Sequence, residues 1–347
     1  MWRHSSSISK KREKLEMRAK IFARVRRFFD EQDFVEVDTP ALQALPGPEP
    51  HLTPFVTSYK TPQGETHPLY LHSSPEINCK KLLVAGMTRI YQLSHVFRNA
   101  EDSRQHQPEF MLLEWYRVGA GYQELMQDCA GVLRGAAEAS GNAVCHYNGM
   151  NCDLTKKPEV LTVQDAFKRF AGFDVLETAD DPENPAPEKI AAQAKRLGLH
   201  VAADDKWDDI ALRIIGEKIE PHLGKDAPCF LTDYPLCMAA LARPKPSDGR
   251  VAERFELYVC GLELANAFVE LTDAKIQRAR FTQDRALKKE RYNETYPVDE
   301  AFLKALEQGM PEAGGVALGM DRLVMLATGA THIHEVLWAP VPYTEEK

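Results

Sequence analysis

The chain has 347 residues, enough for one large domain or two ordinary ones, and its 44% hydrophobic and 27% charged content describes a soluble globular protein. It carries no apolar run long enough to span a membrane, its polar, Ser-rich start (Met1 to Lys10) is not a secretory signal, and its seven cysteines include no C-x-x-C pair. A zinc site, a disulfide framework and a membrane anchor are therefore not expected, and the thiols read as reduced and buried in a cytoplasmic protein. The net charge of −8 is uneven: Arg3, Lys10, Lys11, Arg12, Lys14, Arg18, Lys20, Arg24, Arg26 and Arg27 crowd the first thirty residues. What remains is strongly acidic, which argues against broad nucleic-acid binding.

Residues 1–10 read as a polar tail and 11–347 as one domain. From 11 to 32, Leu15, Ala19, Phe22, Val25 and Phe29 make the stripe of an amphipathic helix, with its basic face either solvated or free to dock an acidic partner. Val35-Glu36-Val37 alternates as a strand that stops at Thr39-Pro40. Pro46-Gly47-Pro48-Glu49-Pro50 is a stiff loop, Leu69 to Leu71 a short strand, and Ser74-Pro75 opens a helix with Ser74 at its N-cap. Residues near 155–225 form a mostly helical insertion: Thr162 to Asp165 starts one helix, 186–197 is a second and 207–219 a third. Arg254 to Cys260 and Leu262 to Glu270 read as paired strands, followed by a charged helix from Thr272 to about Tyr292. Gly315 to Gly319 is a small-residue strand running into a helix at Arg322.

Two groups of residues carry chemistry. Phe97-Arg98-Asn99 through His106-Gln107-Pro108-Glu109-Phe110 sets an arginine, a charged loop and an aromatic face between apolar runs. Arg98 can chelate phosphate oxygens bidentately, Arg104 and His106 can reach outgoing phosphates, and Phe110 offers adenine a stacking face worth roughly 1–3 kcal/mol. Arg322, in the first turn of a helix, is a poor match to the macrodipole and so reads as functional. Gly315 and Gly319 let their strand lie close to a nucleotide, and Glu256 and Glu263 offer hard oxygens to Mg²⁺. The second group is Glu76, Glu114 and Glu270, each in an apolar or aromatic setting. If they converge, their carboxylates repel one another, and a substrate with two ammonium groups relieves that repulsion.

In this order the two arginine-bearing segments, Phe97–Tyr116 and Gly315–Arg322, resemble motifs 2 and 3 of the class II aminoacyl-tRNA synthetases, and the first helix and strand resemble motif 1, that superfamily's dimer interface. The resemblance runs from about Arg18 to Trp338. It implies an α+β fold, a mostly antiparallel sheet flanked by helices, in a homodimer that uses ATP and Mg²⁺. Arg98 and Arg322 are then catalytic. ATP is implied to meet Arg98, Asn99, Ala100, Glu101, Arg104, His106, Gln107, Phe110, Glu263, Leu264, Gly319 and Arg322, with Glu256 and Glu263 on the metal. Glu76, Glu114, Tyr116, Asn266, Phe268 and Glu270 match the lysine pocket of lysyl-tRNA synthetases, and Ser74, Pro75 and Ala317 are implied to meet the substrate beside them.

Only about ten polar residues precede the first helix, where lysyl-tRNA synthetases carry an anticodon-reading domain, so stable tRNA binding is not expected. Ala317, at the middle glycine position of motif 3, is similar to the stand-alone ligases that adenylate (R)-β-lysine and pass it to a lysine of elongation factor P. Three residues depart from these families: Ala100 replaces a glutamate expected near adenine, Gln107 an asparagine, and Ala267 a glycine beside the pocket. Glu101 is the candidate to replace the lost acid through a loop shift. Ala100 also leaves open a non-catalytic paralogue that binds amino acid or nucleotide and regulates a partner. An asparagine-synthetase-like enzyme is disfavoured, since an aspartate substrate would need cations where Glu76, Glu114 and Glu270 stand.

Overall fold

The structure is a computed structural model that describes residues 5–47, 49–239 and 241–341. Pro48 of the Pro-rich loop and residues 1–4 of the expected tail lie outside the described residues. Helix α1 (Ser5–Asp30) already begins at Ser5, so from there the expected tail is helix. Its buried stripe is Leu15, Arg18, Ile21, Val25 and Phe29, while Ala19 is exposed. Spacings of three and four keep those five on one face; the basic residue among them was hidden from an argument based on apolar residues alone.

After α1 come β1 (Val35–Glu36), β2 (Leu42–Gln43), β3 (Phe55–Lys60), β4 (Thr66–Leu71), α2 (Glu76–Val84), β5 (Arg89–Phe97) and β6 (Glu109–Val118). Helix α3 (Tyr122–Ser140) leads to β7 (Val144–Tyr147), β8 (Met150–Asp153), β9 (Glu159–Thr162), α4 (Val163–Ala166), α5 (Glu188–Arg196), α6 (Trp207–Ile214) and β10 (Cys229–Pro235). The chain finishes through β11 (Pro244–Lys245), β12 (Asp248–Val259), β13 (Leu262–Val269), α7 (Ala274–Tyr292), α8 (Glu300–Gly309), β14 (Ala313–Gly319) and α9 (Met320–Thr328).

A nine-stranded sheet organises the molecule in the order β1-β5-β6-β14-β13-β12-β10-β9, with β11 alongside β12. Pairing is antiparallel from β5 to β10 and parallel only at the ends, β1 on β5 and β9 on β10. One face is buried under α1, α3 and α9, where Trp115, Leu113, Val316, Leu318, Ala265 and Ala267 enter the main core. Helices α4, α5 and α6 lie between β9 and β10, with a second core around Phe167, Ile190, Trp207 and Ile210. Thr162 caps the first of these helices by accepting the Asp165 amide at 3.0 Å, and α6 continues as a π-helical turn over Ile215–Ile219. Because β9 joins the sheet edge, this helical segment is fused to the sheet.

Candidate active site

The sheet's other face floors a cleft of about 1040 Å³. Strand alternation decides which residues reach it. On β6 these are Phe110, Leu112, Glu114 and Tyr116; on β14 Gly315, Ala317 and Gly319; on β13 Leu264, Asn266, Phe268 and, just past its end, Glu270. Strand register lines them up in rows: Tyr116, Gly315 and Phe268 in one, Glu114, Ala317, Asn266 and Glu256 in the next, with Leu112 paired to Gly319 beyond. Arg98, His106, Gln107, Glu263 and Arg322 wall one end, and Ser74 and Glu76 the other.

The first end is cationic. Arg98 holds its guanidinium over Phe110, 5.1 Å from the ring centroid, and its Nε is buried with no hydrogen-bond partner. Arg322 donates to the Glu263 carbonyl at 2.8 Å and to His106 Nε2. Arginine can only donate, so His106 carries its proton on Nδ1, which lies 2.7 Å from Ser103 Oγ. Burial and the charges of Arg322 and Arg98 push this imidazole down to about 4, leaving it neutral between two cations. Such a group of donors, one of them unpaired, suits a phosphate chain.

The opposite end is acidic. Ser74 and Tyr116 donate to the two oxygens of Glu114, each at 2.6 Å. Ser74 also accepts the Glu76 amide at 3.0 Å, which starts α2 one residue later than its expected cap position implied. Lys80, 1% exposed, sets its ammonium between Glu76 and Glu270 and 5.4 Å from the Phe268 ring. Burial, reinforced by Glu76, pushes Glu114 up to about 7. Burial pushes Glu270 up to about 8 even though Lys80 pulls it down. Three carboxyl groups face one cation, and the two that burial holds partly protonated would ionise more readily beside an amine-bearing ligand.

A model of the class II tRNA synthetases (D, K and N) matches residues 4–341. The elongation factor P–(R)-β-lysine ligase of Vibrio parahaemolyticus is 39% identical over 344 residues, covering 98% of each chain. The ligases of the same name from Proteus mirabilis and Klebsiella pneumoniae are 39% and 40% identical, over 98% and 92% of this chain and 97% and 92% of their own. The chain belongs to the elongation factor P–(R)-β-lysine ligase family.

Not every residue singled out from the sequence reaches the cleft of this family member. Arg104 is exposed and points at the Thr331 carbonyl, 3.4 Å away, rather than toward a phosphate position. Gln107 backs the cleft wall but is itself buried, its amide spent on His334 at 2.7 Å and the Val341 amide at 3.3 Å, so it secures the loop to the C-terminal segment. Asn99 and Ala100 are exposed; the Asn99 side chain accepts the Ala100 amide, and Ala100 takes φ 63°. That left-handed turn swings Glu101 to 3.9 Å from Arg98, against the arginine and off the cleft wall. Pro75 contributes its carbonyl to the start of α2. Ala267 is fully buried in the main core, so its methyl adds nothing to the pocket. Gly315 makes room inside the protein: a Cβ there would lie 2.3 Å from Glu270 and 2.6 Å from Tyr116.

The two acids expected to hold a metal differ. Glu256 shares the face of its register partner Asn266 but is covered, 8% exposed, and is bonded to Arg254 at 2.6 Å, Tyr234 at 2.5 Å and Tyr258 at 2.7 Å. Glu263 opens to the cleft, and its nearest cation is Arg322 at 3.8 Å. Burial and the Glu256 charge push it up to about 7. Glu220, bonded to Tyr258 at 3.2 Å, adds a third acid that the sequence did not single out. Of these acids Glu263 is the one that opens to the cleft beside the cationic end, and a divalent ion with its waters needs only one or two protein carboxylates.

Proposed function

We propose that the chain is an ATP-dependent ligase that converts (R)-β-lysine, or lysine, into an acyl-adenylate and then into an amide on a lysine of elongation factor P. The observation that carries this reading is one cleft with a cationic end around Arg98, His106 and Arg322 and an acidic end around Glu76, Glu114 and Glu270. ATP bends over the first, Phe110 and Arg322 flanking its adenine. A diammonium substrate is drawn to the second, and its carboxylate meets the α-phosphate beside Arg98. In-line attack then needs positioning and positive charge more than proton transfer. Ala317, between Glu114 and Asn266 in the register, shapes the floor under the amine-bearing carbon. Glu263, with Glu256 behind it, would hold Mg²⁺, which when bound neutralises phosphate charge.

The same proposal makes the protein a cytoplasmic homodimer that modifies a protein acceptor without stable tRNA binding. Among the described residues no helix is long and apolar enough to cross a membrane. ATP–pyrophosphate exchange with (R)-β-lysine, α-lysine and no amino acid tests the first half-reaction. Exchange preferring β-lysine is expected; no exchange with either amine from folded protein would sink the enzyme reading in favour of a regulatory paralogue.

A further inference from the structure

Amide formation makes a chemical demand that adenylation does not. An acceptor lysine arrives as an ammonium ion and must lose a proton before its nitrogen can attack a carbonyl. Most groups in the cleft are already committed. Glu114 accepts from Ser74 and Tyr116, Glu76 and Glu270 are both ion-paired to Lys80 although neither Glu270 oxygen has a hydrogen-bond donor, and the free lone pair of His106 is taken by Arg322.

Glu49 is in a different position. It lines the cleft between the two ends, within electrostatic reach of Glu76 and of Arg98. Its Oε2 is buried and has no hydrogen-bond partner. Gly47 gives that carboxylate its room, because a Cβ there would lie only 2.4 Å from Oε2. Burial, then the Glu76 charge, raises the carboxyl above its ordinary range, while its own backbone amide, Arg98 and Lys288 oppose the shift. A second cavity, of about 430 Å³ and walled by residues 43–47, α2 and α7, meets the cleft at Ser74 and Asp284. Asp284 lies near Glu49, and burial followed by the Glu49 charge pushes it up to about 7. The junction therefore holds a buried carboxylate oxygen with no hydrogen-bond partner on the cleft wall, with the Asp284 carboxyl close enough to feel its charge.

Resting on the ligase reading, we propose that Glu49 is the general base of the transfer step, receiving a proton from the acceptor lysine where the second cavity joins the cleft. Glu49 takes one proton from the ammonium, and the freed lone pair forms the C–N bond to the acyl carbon. The bond from that carbon to the phosphate oxygen breaks, and AMP leaves with the electron pair. The second nitrogen proton passes to solvent as the amide forms.

Single-turnover transfer to elongation factor P, measured against pH for wild type, Glu49→Gln and Glu49→Asp with ATP–pyrophosphate exchange in parallel, tests this. For Glu49→Gln the ratio of transfer to exchange is expected to fall at least about tenfold near pH 7. Its transfer rate should then climb with pH toward the lysine's own ionisation, where wild type levels off; Glu49→Asp should recover part of the loss. A ratio and pH profile matching wild type in Glu49→Gln would overturn the base assignment and leave the ligase reading standing. Equal loss of exchange and transfer would overturn it too, moving Glu49 into amino-acid binding. A wild-type enzyme that exchanges with no amine or never acylates the factor would remove the ligase reading and the base together.

Discussion

At the scale of single residues, the cleft is built from groups whose charge is costly without a ligand. Arg98 buries an unpaired Nε beside Phe110, so its full set of donors is satisfied only when an anion binds. Arg98→Ala should lower pyrophosphate exchange by about a hundredfold or more, with an unchanged circular dichroism spectrum and melting temperature; near-wild-type exchange would refute the phosphate assignment. Glu114 makes the opposite prediction, about stability. Its folded-state carboxyl is raised from 4.5 to about 7, so the stability it contributes is complete below its unfolded value and is lost as pH climbs through 7. Glutamine does not titrate. Relative to wild type, Glu114→Gln should therefore gain stability between pH 5 and pH 8, by about 3 kcal/mol at most. Urea denaturation of the ligand-free protein at the two pH values measures this, and curves that stay parallel would contradict the assigned shift.

Among the elements, α1 and α9 are tied by charge as well as by apolar packing. Asp321 in the first turn of α9 is 1% exposed, accepts the Met111 amide at 2.8 Å and pairs with buried Arg18 of α1. Motif 2, motif 3 and the first helix thus meet at one carboxylate, and the N-terminal end of a helix suits its charge. Asp321→Ala leaves Arg18 buried and unpaired and should cost about 3–5 kcal/mol in chemical denaturation; a loss below about 1 kcal/mol would mean the pair is open to water. The same helix revises the reading of its basic residues. Lys11 donates to the His334 and Leu337 carbonyls and Lys14 pairs with Glu335, so both fasten α1 to the segment after α9. Arg24 and Arg26 pair with Glu138 and Glu36. Reversing Lys11 or Lys14 would disturb the fold before it could report on a partner.

For the whole molecule, the proposed dimer has a concrete surface. Val35, Leu42, Val56 and Tyr59, on the motif 1 strand and the small sheet after it, are 50%, 51%, 64% and 50% exposed. Large apolar side chains in one region of chain mark a surface that association would cover. Val56→Glu should turn a dimer into a monomer by sedimentation velocity; a sedimentation coefficient identical to wild type would move the interface elsewhere or remove it.

The sequence by itself determined the sheet class, because strand alternation, helix caps and paired motifs are local patterns. Glu76, Glu114 and Glu270 were legible as a group since each interrupts an apolar run with a charge. Their convergence on Lys80 was not, because a lysine one turn along α2 reads as surface until burial and two carboxylates surround it. Period two alone could have placed Ala267 on the core side, opposite Asn266 and Phe268. The fates of Arg104, Gln107 and Glu101 depended on the path of a loop, which repeats no pattern. Only the tertiary structure could join Arg18 to Asp321 or leave Glu49 Oε2 without a donor, since both depend on segments hundreds of residues apart packing together and excluding water.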